Sequence, residues 1–243
     1  MALIAYDSVD ATAFAATRHL RDDGLATWRA AIGRYFEPRA GMRLLDLGCG
    51  TGSWARAFRA WWPDVDVVAV DPAPAMRRRG VFEPVVAGAA DDIPLADTSV
   101  DGVWLSTVVH HLPDLGAAAR EIRRVLKPDA PVLIRSAFAG RHEGISLFRW
   151  FPEAVAVLGR YPSIPDVEAA FAAVGFTTAG CEPVPQMTAR SLAEVAAGLQ
   201  REAHTPLQLI SDEAYTAGVA RLNRAARTHG GPVVDALDLL VMR

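Results

Sequence analysis

Three glycines at alternate positions, Gly48, Gly50 and Gly52, directly follow the apolar run Arg43–Leu47. Glycine permits a positive φ angle and lets a ligand touch the bare main chain. The N–H groups at the start of a following helix favour a negatively charged group at the same place. The spacing therefore predicts a turn that holds a ligand flat against the backbone.

An acidic residue, Asp71, ends the next apolar run. A carboxylate about 20 residues beyond such glycines is positioned to accept hydrogen bonds from ribose hydroxyls. The glycine spacing is G-x-G-x-G, and Ser53 stands where the dinucleotide pattern G-x-G-x-x-G has its last small residue. A phosphate loop ending in Gly-Lys-Ser/Thr is absent from the sequence. These features predict a nucleoside-containing ligand and favour one without a pyrophosphate.

Two adjacent histidines, His110 and His111, are the candidates for acid–base chemistry. A histidine can accept a proton from a hydroxyl or an amine because its ordinary pKa is near neutral. Adjacent side chains diverge, so we expect at most one of them to face a substrate. The alternative is that His111 packs under the turn at Pro113 and His110 only shapes the cavity. With Asp114 they do not have a known metal-ligand spacing, and no metal is predicted.

The two cysteines, Cys49 and Cys181, cannot form a disulfide framework, which favours reduced thiols in a cytoplasmic protein. Cys49 lies within the glycine run with no base beside it. We interpret it as a small apolar filler and not as a nucleophile.

Alternating strand and helix patterns position these residues. Strands are predicted at Arg43–Leu47, Asp66–Asp71, 83–88, 100–106 and 131–136, with helices between them at Ser53–Trp61, 74–79 and 114–126. Such alternation predicts a doubly wound parallel sheet covered on both faces. Further helices are predicted at 147–158, 166–174, 192–201 and 212–227, with strands at 176–182 and 232–243. We expect Thr51 or Ser53 to cap the helix after the glycines, and Asp114 to cap the helix that follows it.

The chain has 243 residues, 51% of them hydrophobic, and a net charge of −3. This length suits one α/β domain. The charge argues against nucleic acid or an anionic membrane surface as a partner. The N-terminal sequence lacks the pattern of a signal peptide, and no apolar run reaches the ~20 residues of a membrane span.

Five ordered blocks between Arg43 and Ser136 carry a family resemblance: LLDLGCGTG, AVDP, GAADDIPLADTSVDGVW, STVVHHLPD and EIRRVLKPDAPVLI. They resemble the class I S-adenosylmethionine-dependent methyltransferases, nearest to the broad type 11-like group that acts on small molecules. The resemblance implies a Rossmann-like α/β fold with a mostly parallel seven-stranded sheet, an antiparallel last strand and helical lid insertions. It implies one domain, 1–243, with an N-terminal helical cap (1–42), a cofactor-binding core (43–136) and a substrate lid with the rest of the sheet (137–243).

The resemblance implies S-adenosylmethionine as the cofactor and S-adenosylhomocysteine as the product. Asp46 and the glycine backbone would hold the methionine part, and Asp71 the ribose. The full implied set is Tyr6, Arg18, Asp46, Gly48, Cys49, Gly50, Asp71, Pro72, Met76, Ala90, Asp91 and Ser106. Arg18 would meet the cofactor carboxylate, or else be a surface residue of an N-terminal helix.

One position departs from the pattern of this family. Many relatives have an aspartate where this chain has Ala89. The usual acceptor for the adenine amino group is then missing unless Asp91 or Asp92 replaces it. We expect adenine to be held more by stacking than by hydrogen bonds.

The segment after the fifth predicted strand is expected to lie over the methyl side of the cofactor as a lid. Its candidate substrate-binding residues are Arg135, His142, Trp150 and Phe151. Aromatic side chains there suit an apolar or aromatic substrate. The alternative is ordinary packing of the extra helices onto the sheet.

The predicted function is in-line methyl transfer from S-adenosylmethionine to an oxygen, nitrogen or carbon of a small organic molecule, with one histidine as a base. The partner is that small molecule, and the chain is a monomer or a homodimer.

A methyltransferase-fold cyclase or binding module that holds the cofactor without methylating is the main alternative. An RNA or protein methyltransferase is disfavoured by the charge and by STVV in place of an Asn/Asp-Pro-Pro-aromatic block. An NAD dehydrogenase is disfavoured by the glycine spacing.

Overall fold

The computed structural model describes residues 24–243. The predicted cofactor residues Tyr6 and Arg18 lie outside this range. The described chain forms a seven-stranded sheet in the order β3-β2-β1-β4-β5-β7-β6. The strands are β1 (Arg43–Leu47), β2 (Asp66–Asp71), β3 (Val85–Ala87), β4 (Gly102–Ser106), β5 (Val132–Ser136), β6 (Thr178–Ala189) and β7 (Val233–Met242). β7 pairs antiparallel with both β5 and β6, and the other pairings are parallel. The predicted Rossmann-like sheet with an antiparallel last strand is confirmed.

Ten α-helices are found among residues 24–243. They are α1 (Ala26–Phe36), α2 (Ser53–Trp61), α3 (Pro74–Arg77), α4 (Leu115–Val125), α5 (Ser146–Trp150), α6 (Val155–Leu158), α7 (Ile164–Ala172), α8 (Leu192–Gly198), α9 (Thr205–Gln208) and α10 (Asp212–Ala226). Short 3₁₀ turns lie at Val109–His111, Pro152–Ala154 and Arg201–Ala203. In this part of the chain, none of the helices combines the length and the apolar character needed to cross a bilayer.

Local chemistry explains where the elements differ from expectation. The single helix predicted at 147–158 is interrupted, because Pro152 has no N–H to donate and begins a 3₁₀ turn. The predicted cap of α2 is wrong: its N-cap is Gly52 at φ +79°, with no side-chain cap. Asp114 does cap α4, accepting from the N–H of Ala117 at 2.9 Å.

β6 runs for 12 residues, longer than the predicted strand, because β7 pairs with it over most of its length. β6 is an edge strand and has a neighbouring strand on one side only. Its prolines, Pro183 and Pro185, are tolerated there because an edge strand does not need every N–H for pairing.

The sheet is buried on both faces, which explains the apolar runs of its central strands. One face packs against α1 and α2 through Trp28, Trp54 and Phe58. The other packs against α4 and α7, with Ile122 and Phe171 in its core. Because β1, β2, β4 and β5 run parallel, their carboxyl ends meet at one edge of the sheet.

A third apolar cluster joins α5, α6 and the last helices beyond that edge. Its fully or nearly fully buried members include Phe151, Leu158, Leu207 and Leu222. This cluster forms the wall that faces the ends of the strands, at the place where the predicted lid was expected.

Candidate cofactor and substrate site

The turn after β1 requires glycine for two separate reasons. Gly48, Gly50 and Gly52 have φ angles of +71°, +59° and +79°, a region that L side chains rarely adopt. A Cβ on Gly48 would also lie 2.6 Å from Cγ2 of Val108. The N–H groups of Gly48 and Cys49 donate to the carbonyl of Val70 at 2.8 and 3.1 Å. The turn is thus fixed to β2, with its backbone open towards the carboxyl edge.

Asp71 connects the end of β2 to this turn. Its Oδ2 accepts from the N–H of Gly50 at 2.7 Å, and its Oδ1 accepts from the N–H of Ala73 at 2.8 Å. Burial raises the pKa of Asp71, and the two N–H donors act against that shift. A carboxylate oxygen can accept more than one hydrogen bond, so both oxygens can also receive donors from a ligand.

A cavity of about 310 Å³ opens beside Asp71, between the ends of β1, β2 and β4. It is lined by the predicted adenosine-binding residues Asp71, Pro72, Met76, Ala90 and Asp91. Ala89 and His111 line it as well. The structure therefore brings together the residues that the sequence placed at the ribose and adenine.

A second cavity of about 590 Å³ lies on the other side of the glycine turn. The glycine-turn side includes Asp46 and Cys49, and the lid side includes Trp150 and Phe151. Four residues line both cavities: Gly48, Gly50, Ser106 and Thr107. The two cavities therefore meet at the carboxyl ends of β1 and β4.

Thr107, at this junction, has a strained backbone. Its φ is +56°, which is unusual for a β-branched residue. Its N–H donates to the carbonyl of Arg135 at 2.7 Å, and its hydroxyl donates to the carbonyl of Ser106 at 2.7 Å. These bonds hold the chain in a sharp bend directly after β4, and strain of this kind is common at ligand sites.

Asp46 is a buried acid beside the larger cavity. It is 1% exposed, and its Oδ2 has no hydrogen-bond partner among residues 24–243. Burial raises its pKa to about 8. An isolated buried carboxyl group of this kind is costly, and a cationic ligand group would relieve that cost.

The two histidines divide between the two cavities. The 3₁₀ turn Val109–His111 directs His110 to the larger cavity and His111 to the smaller one. The ring of His110 stacks on that of Tyr161, with centroids 4.0 Å apart and planes 7° apart. Only His110 therefore faces the region expected to hold a substrate, and Tyr161 sets the orientation of its ring.

Arg135 projects from the end of β5 into the larger cavity and is 9% exposed. It donates to Oγ of Ser106 and to Oε1 of Gln186, both at 3.2 Å. Its guanidinium carbon lies 5.0 and 5.4 Å from the ring centroids of Trp28 and Trp54. These contacts hold a positive charge in a largely apolar wall.

His142 is not brought to the site. It lies on the loop after β5, lines neither cavity and packs edge-on against Phe148. The other three predicted substrate residues, Arg135, Trp150 and Phe151, line the larger cavity. The sequence alone gave no means of telling which residues of a loop would face inward.

Comparison with known proteins identifies the fold family. Residues 45–134 match the profile of the family described as "Methyltransferase domain". Residues 45–134 therefore form a methyltransferase domain, in the region where the sequence motifs lie. A demethylmenaquinone methyltransferase from Roseiflexus sp. is 35% identical over 133 residues, which are 51% of this chain and 55% of that protein. A malonyl-[acyl-carrier protein] O-methyltransferase from Erwinia pyrifoliae is 32% identical over 149 residues, 59% of this chain and 55% of that protein.

The chain spans about half the length of these curated relatives. Among solved structures, a protein from Anabaena variabilis described as a methyltransferase of an antibiotic biosynthesis pathway superposes with a TM-score of 0.74. It shares 20% sequence identity and covers 94% of this chain and 99% of its own. This similarity concerns the fold.

The cofactor that this domain match indicates is S-adenosylmethionine, and the two joined cavities fit its two halves. Asp71 and the smaller cavity suit the adenosine, because carboxylate oxygens stand at the ribose position. Asp46 suits the ammonium group of the methionine part, since its buried Oδ2 lacks a partner within the described chain. Gly48 and Ser106, at the junction, would then border the sulfur.

Substituting Asp71→Asn is expected to raise the dissociation constant of S-adenosylhomocysteine about 10- to 150-fold. The variant loses charge-assisted hydrogen bonds worth ~1.5–3 kcal/mol. Either orientation of the new amide also sets an NH₂ group against the N–H of Gly50 or Ala73. Calorimetric titration measures the change. Asp66→Asn, an exposed position at the start of the same strand, is the matched control, and equal affinities for both variants would remove Asp71 from the site.

Cofactor binding is expected to release a proton near pH 7. The pKa of Asp46 is about 8 before binding, so the group is largely protonated there, and a neighbouring ammonium group lowers that pKa. Affinity should therefore rise as the pH increases from about 6 to 7.5, where a free α-amino group is still mostly protonated. Titration in buffers of different ionisation enthalpy counts the protons. Asp46→Asn should abolish the release; a pH-independent affinity for the wild type would contradict the assignment.

Cys49 is unsuited to nucleophilic chemistry. Burial raises the pKa of its thiol, and the nearby carboxyl groups of Asp46 and Asp71 raise it further. A thiol that stays protonated is a poor nucleophile. Residues 24–243 bring no three His, Cys, Asp or Glu side chains together in a way that could hold a metal ion.

Several residues of the larger cavity were not predicted. They come from β6, β7 and the last helices, and the polar ones include Gln186, Thr188, Glu194, His204, Thr205 and Asp235. No local motif marks them, because antiparallel pairing of distant segments brings them to the site. The strained Thr107 has no sequence signature either.

Proposed function

We propose that this protein transfers the methyl group of S-adenosylmethionine to an oxygen, nitrogen or carbon of a small organic molecule held in the larger cavity. The observation that carries the proposal is the junction of the two cavities at Gly48, Gly50, Ser106 and Thr107. A cofactor with its adenosine in the smaller cavity would present its sulfur at this junction. The acceptor would then approach from the larger cavity, on the far side of the methyl group.

Alignment is the main catalytic contribution of the chain. The cofactor supplies an activated methyl group, whose sulfonium charge disappears during the transfer. The protein therefore needs no site for a developing oxyanion, and the walls of the larger cavity can be apolar. Holding two reactants at attack distance contributes up to about 7–11 kcal/mol in model reactions.

His110 is the proposed proton acceptor when the acceptor atom carries a proton. It lines the larger cavity close to Thr107 at the junction, and stacking on Tyr161 fixes its ring. His111, in contrast, borders the adenosine cavity and would contact the cofactor. An acceptor that is already deprotonated, such as a carboxylate, would need no base, and His110 would then only shape the cavity.

The substrate side of the cavity suits an apolar or aromatic molecule. Four aromatic side chains face it, from Phe148, Trp150, Phe151 and Tyr161. One relative is named for demethylmenaquinone, which supports an apolar acceptor, and another for malonyl-[acyl-carrier protein], whose malonyl group is carried by a protein. The proposal includes a single domain, a cytoplasmic location, a monomer or homodimer, and no nucleic-acid or membrane partner.

A radiolabel assay tests the proposal. Purified protein is incubated with tritiated-methyl S-adenosylmethionine and a panel of phenols, quinols, amines and carboxylic acids, and both labelled product and S-adenosylhomocysteine are measured. Transfer to one class supports the proposal and names the acceptor atom. Cofactor binding without transfer to any compound would instead favour a cyclase or a binding module. Absence of cofactor binding would overturn both.

A further inference from the structure

A buried carboxyl group and a buried guanidinium group lie on the same face of the sheet. Asp46 on β1 pairs in register with Trp104 of β4, and Arg135 on β5 pairs with Ser106 of β4. Alternate residues of a strand share a face, so Ser106 and Trp104 are on one side. Trp104 packs against Trp28 at 6.0 Å, the same ring that the Arg135 guanidinium covers. Asp46 and Arg135 therefore both face the α1 and α2 layer.

The separation of these two residues is set by the sheet. β1 and β5 lie on either side of β4, so they are about 10 Å apart at ~4.8 Å per neighbouring pair. Measured along β4, Arg135 lies two residues nearer the carboxyl edge than Asp46, because its partner is Ser106 and the partner of Asp46 is Trp104. Its long side chain extends into the same cavity that Asp46 lines. An α-amino acid group, whose ammonium and carboxylate are attached to the same carbon, suits the space between Asp46 and Arg135.

A second contact places the guanidinium at the cofactor end of the larger cavity. It lies 5.4 Å from the ring centroid of Trp54, in the first turn of α2 directly after the glycine turn. The N–H groups at the start of α2 favour negative charge at the same place.

We propose that Arg135 binds a carboxylate in the larger cavity, and that the register with Asp46 makes this the methionine carboxylate of the cofactor. The inference rests on the proposed function, because it needs the cofactor in this site. It revises the sequence-based assignment of Arg135 to the substrate. The other possible source of the same chemistry is a carboxylate on the methyl acceptor.

Calorimetric titration of two nucleosides tests whether Arg135 contacts the amino-acid end or the adenosine end of the cofactor. S-adenosylhomocysteine carries the amino-acid part, and 5′-methylthioadenosine lacks it. Arg135→Gln is expected to raise the dissociation constant of S-adenosylhomocysteine about 10- to 150-fold, the loss of one charge-assisted contact. The dissociation constant of 5′-methylthioadenosine should stay unchanged. Arg56→Gln, which removes an exposed charge from α2 outside both cavities, is the control and should alter neither.

The second arm tests the acceptor as the source. 4-Phenylbutyrate and the uncharged 4-phenylbutanol are titrated into protein saturated with S-adenosylhomocysteine. If Arg135→Gln leaves cofactor affinity intact but removes a preference for the acid, the carboxylate belongs to the acceptor and the register argument is wrong. If neither affinity changes, Arg135 binds no carboxylate and the proposal is overturned.

Two further measurements keep the outcome interpretable. Arg135→Lys keeps the charge but lacks the planar fork, so an intermediate loss of affinity is expected even if Arg135→Gln fails to fold. Wild-type protein that does not bind S-adenosylhomocysteine would contradict the proposed function itself. Normal binding by both the wild type and the Arg135 variants would contradict only the role of Arg135.

Discussion

His110→Ala is expected to lower the turnover number about 10²- to 10⁴-fold with an acceptor that carries a proton, the range for loss of a general base. The dissociation constant of S-adenosylhomocysteine should change little, because His110 lines the larger cavity and not the adenosine cavity. Steady-state kinetics with the acceptor found in the radiolabel assay, together with calorimetry, separate the two quantities.

His111→Ala is the matched control for this prediction. The neighbouring ring borders the smaller cavity, so its removal should weaken cofactor binding and leave turnover at saturating cofactor nearly intact. Tyr161→Ala should reproduce part of the His110→Ala loss, because it removes the stacked ring that orients His110. Equal, minor losses of turnover in all three variants would assign the histidines to packing alone.

Gly48→Ala is expected to damage both the fold and the cofactor site. The alanine would have to keep the backbone φ of +71°, and its Cβ would lie 2.6 and 2.9 Å from the two Cγ atoms of Val108. The left-handed backbone costs ~1–2 kcal/mol and the overpacking a further ~1–3 kcal/mol of the free energy of unfolding. Because Gly48 lines both cavities, we also expect at least a roughly 10-fold weaker affinity for S-adenosylhomocysteine, or ~1.4 kcal/mol.

Gly41→Ala separates backbone strain from crowding. Gly41 has a φ of +80°, but a Cβ there would meet nothing within 4 Å, and the residue lines neither cavity. This variant should lose only the strain energy and keep its cofactor affinity. Adding Val108→Ala to Gly48→Ala should restore part of the stability by removing both Cγ atoms. Chemical denaturation and calorimetry measure the two effects; identical behaviour of Gly48→Ala and Gly41→Ala would show that close packing at Val108 is unimportant.

The cofactor half of the molecule follows from contiguous sequence. Arg43–Leu47, Asp66–Asp71 and Ser53–Trp61 lie where the pattern of apolar residues put them. Short strands, tight turns and helices of a few turns are decided by neighbours in the chain, so periodicity and glycine spacing are sufficient to predict them. Asp71 ends one of these strands and the glycine turn directly follows another, so their positions were predictable for the same reason.

The substrate half depended on tertiary structure. The order β5-β7-β6 brings Gln186 and Asp235 to the larger cavity, although their positions in the chain give no sign of it. The helix expected at 147–158 is interrupted at Pro152, and this break contributes to a separate apolar cluster beyond the sheet. Contacts between segments so far apart in the chain depend on packing, which no local pattern encodes.

The sequence by itself determined a glycine turn and a carboxylate at fixed spacing at the end of a parallel sheet, and it predicted that they bind a nucleoside. Only the tertiary structure decided that His110 and His111 serve different cavities, that Arg135 faces the same layer as Asp46, and that His142 lies outside the site. The physical reason is that backbone geometry is set by near neighbours in the chain. The direction of each side chain, in contrast, is set by whichever distant elements pack against it.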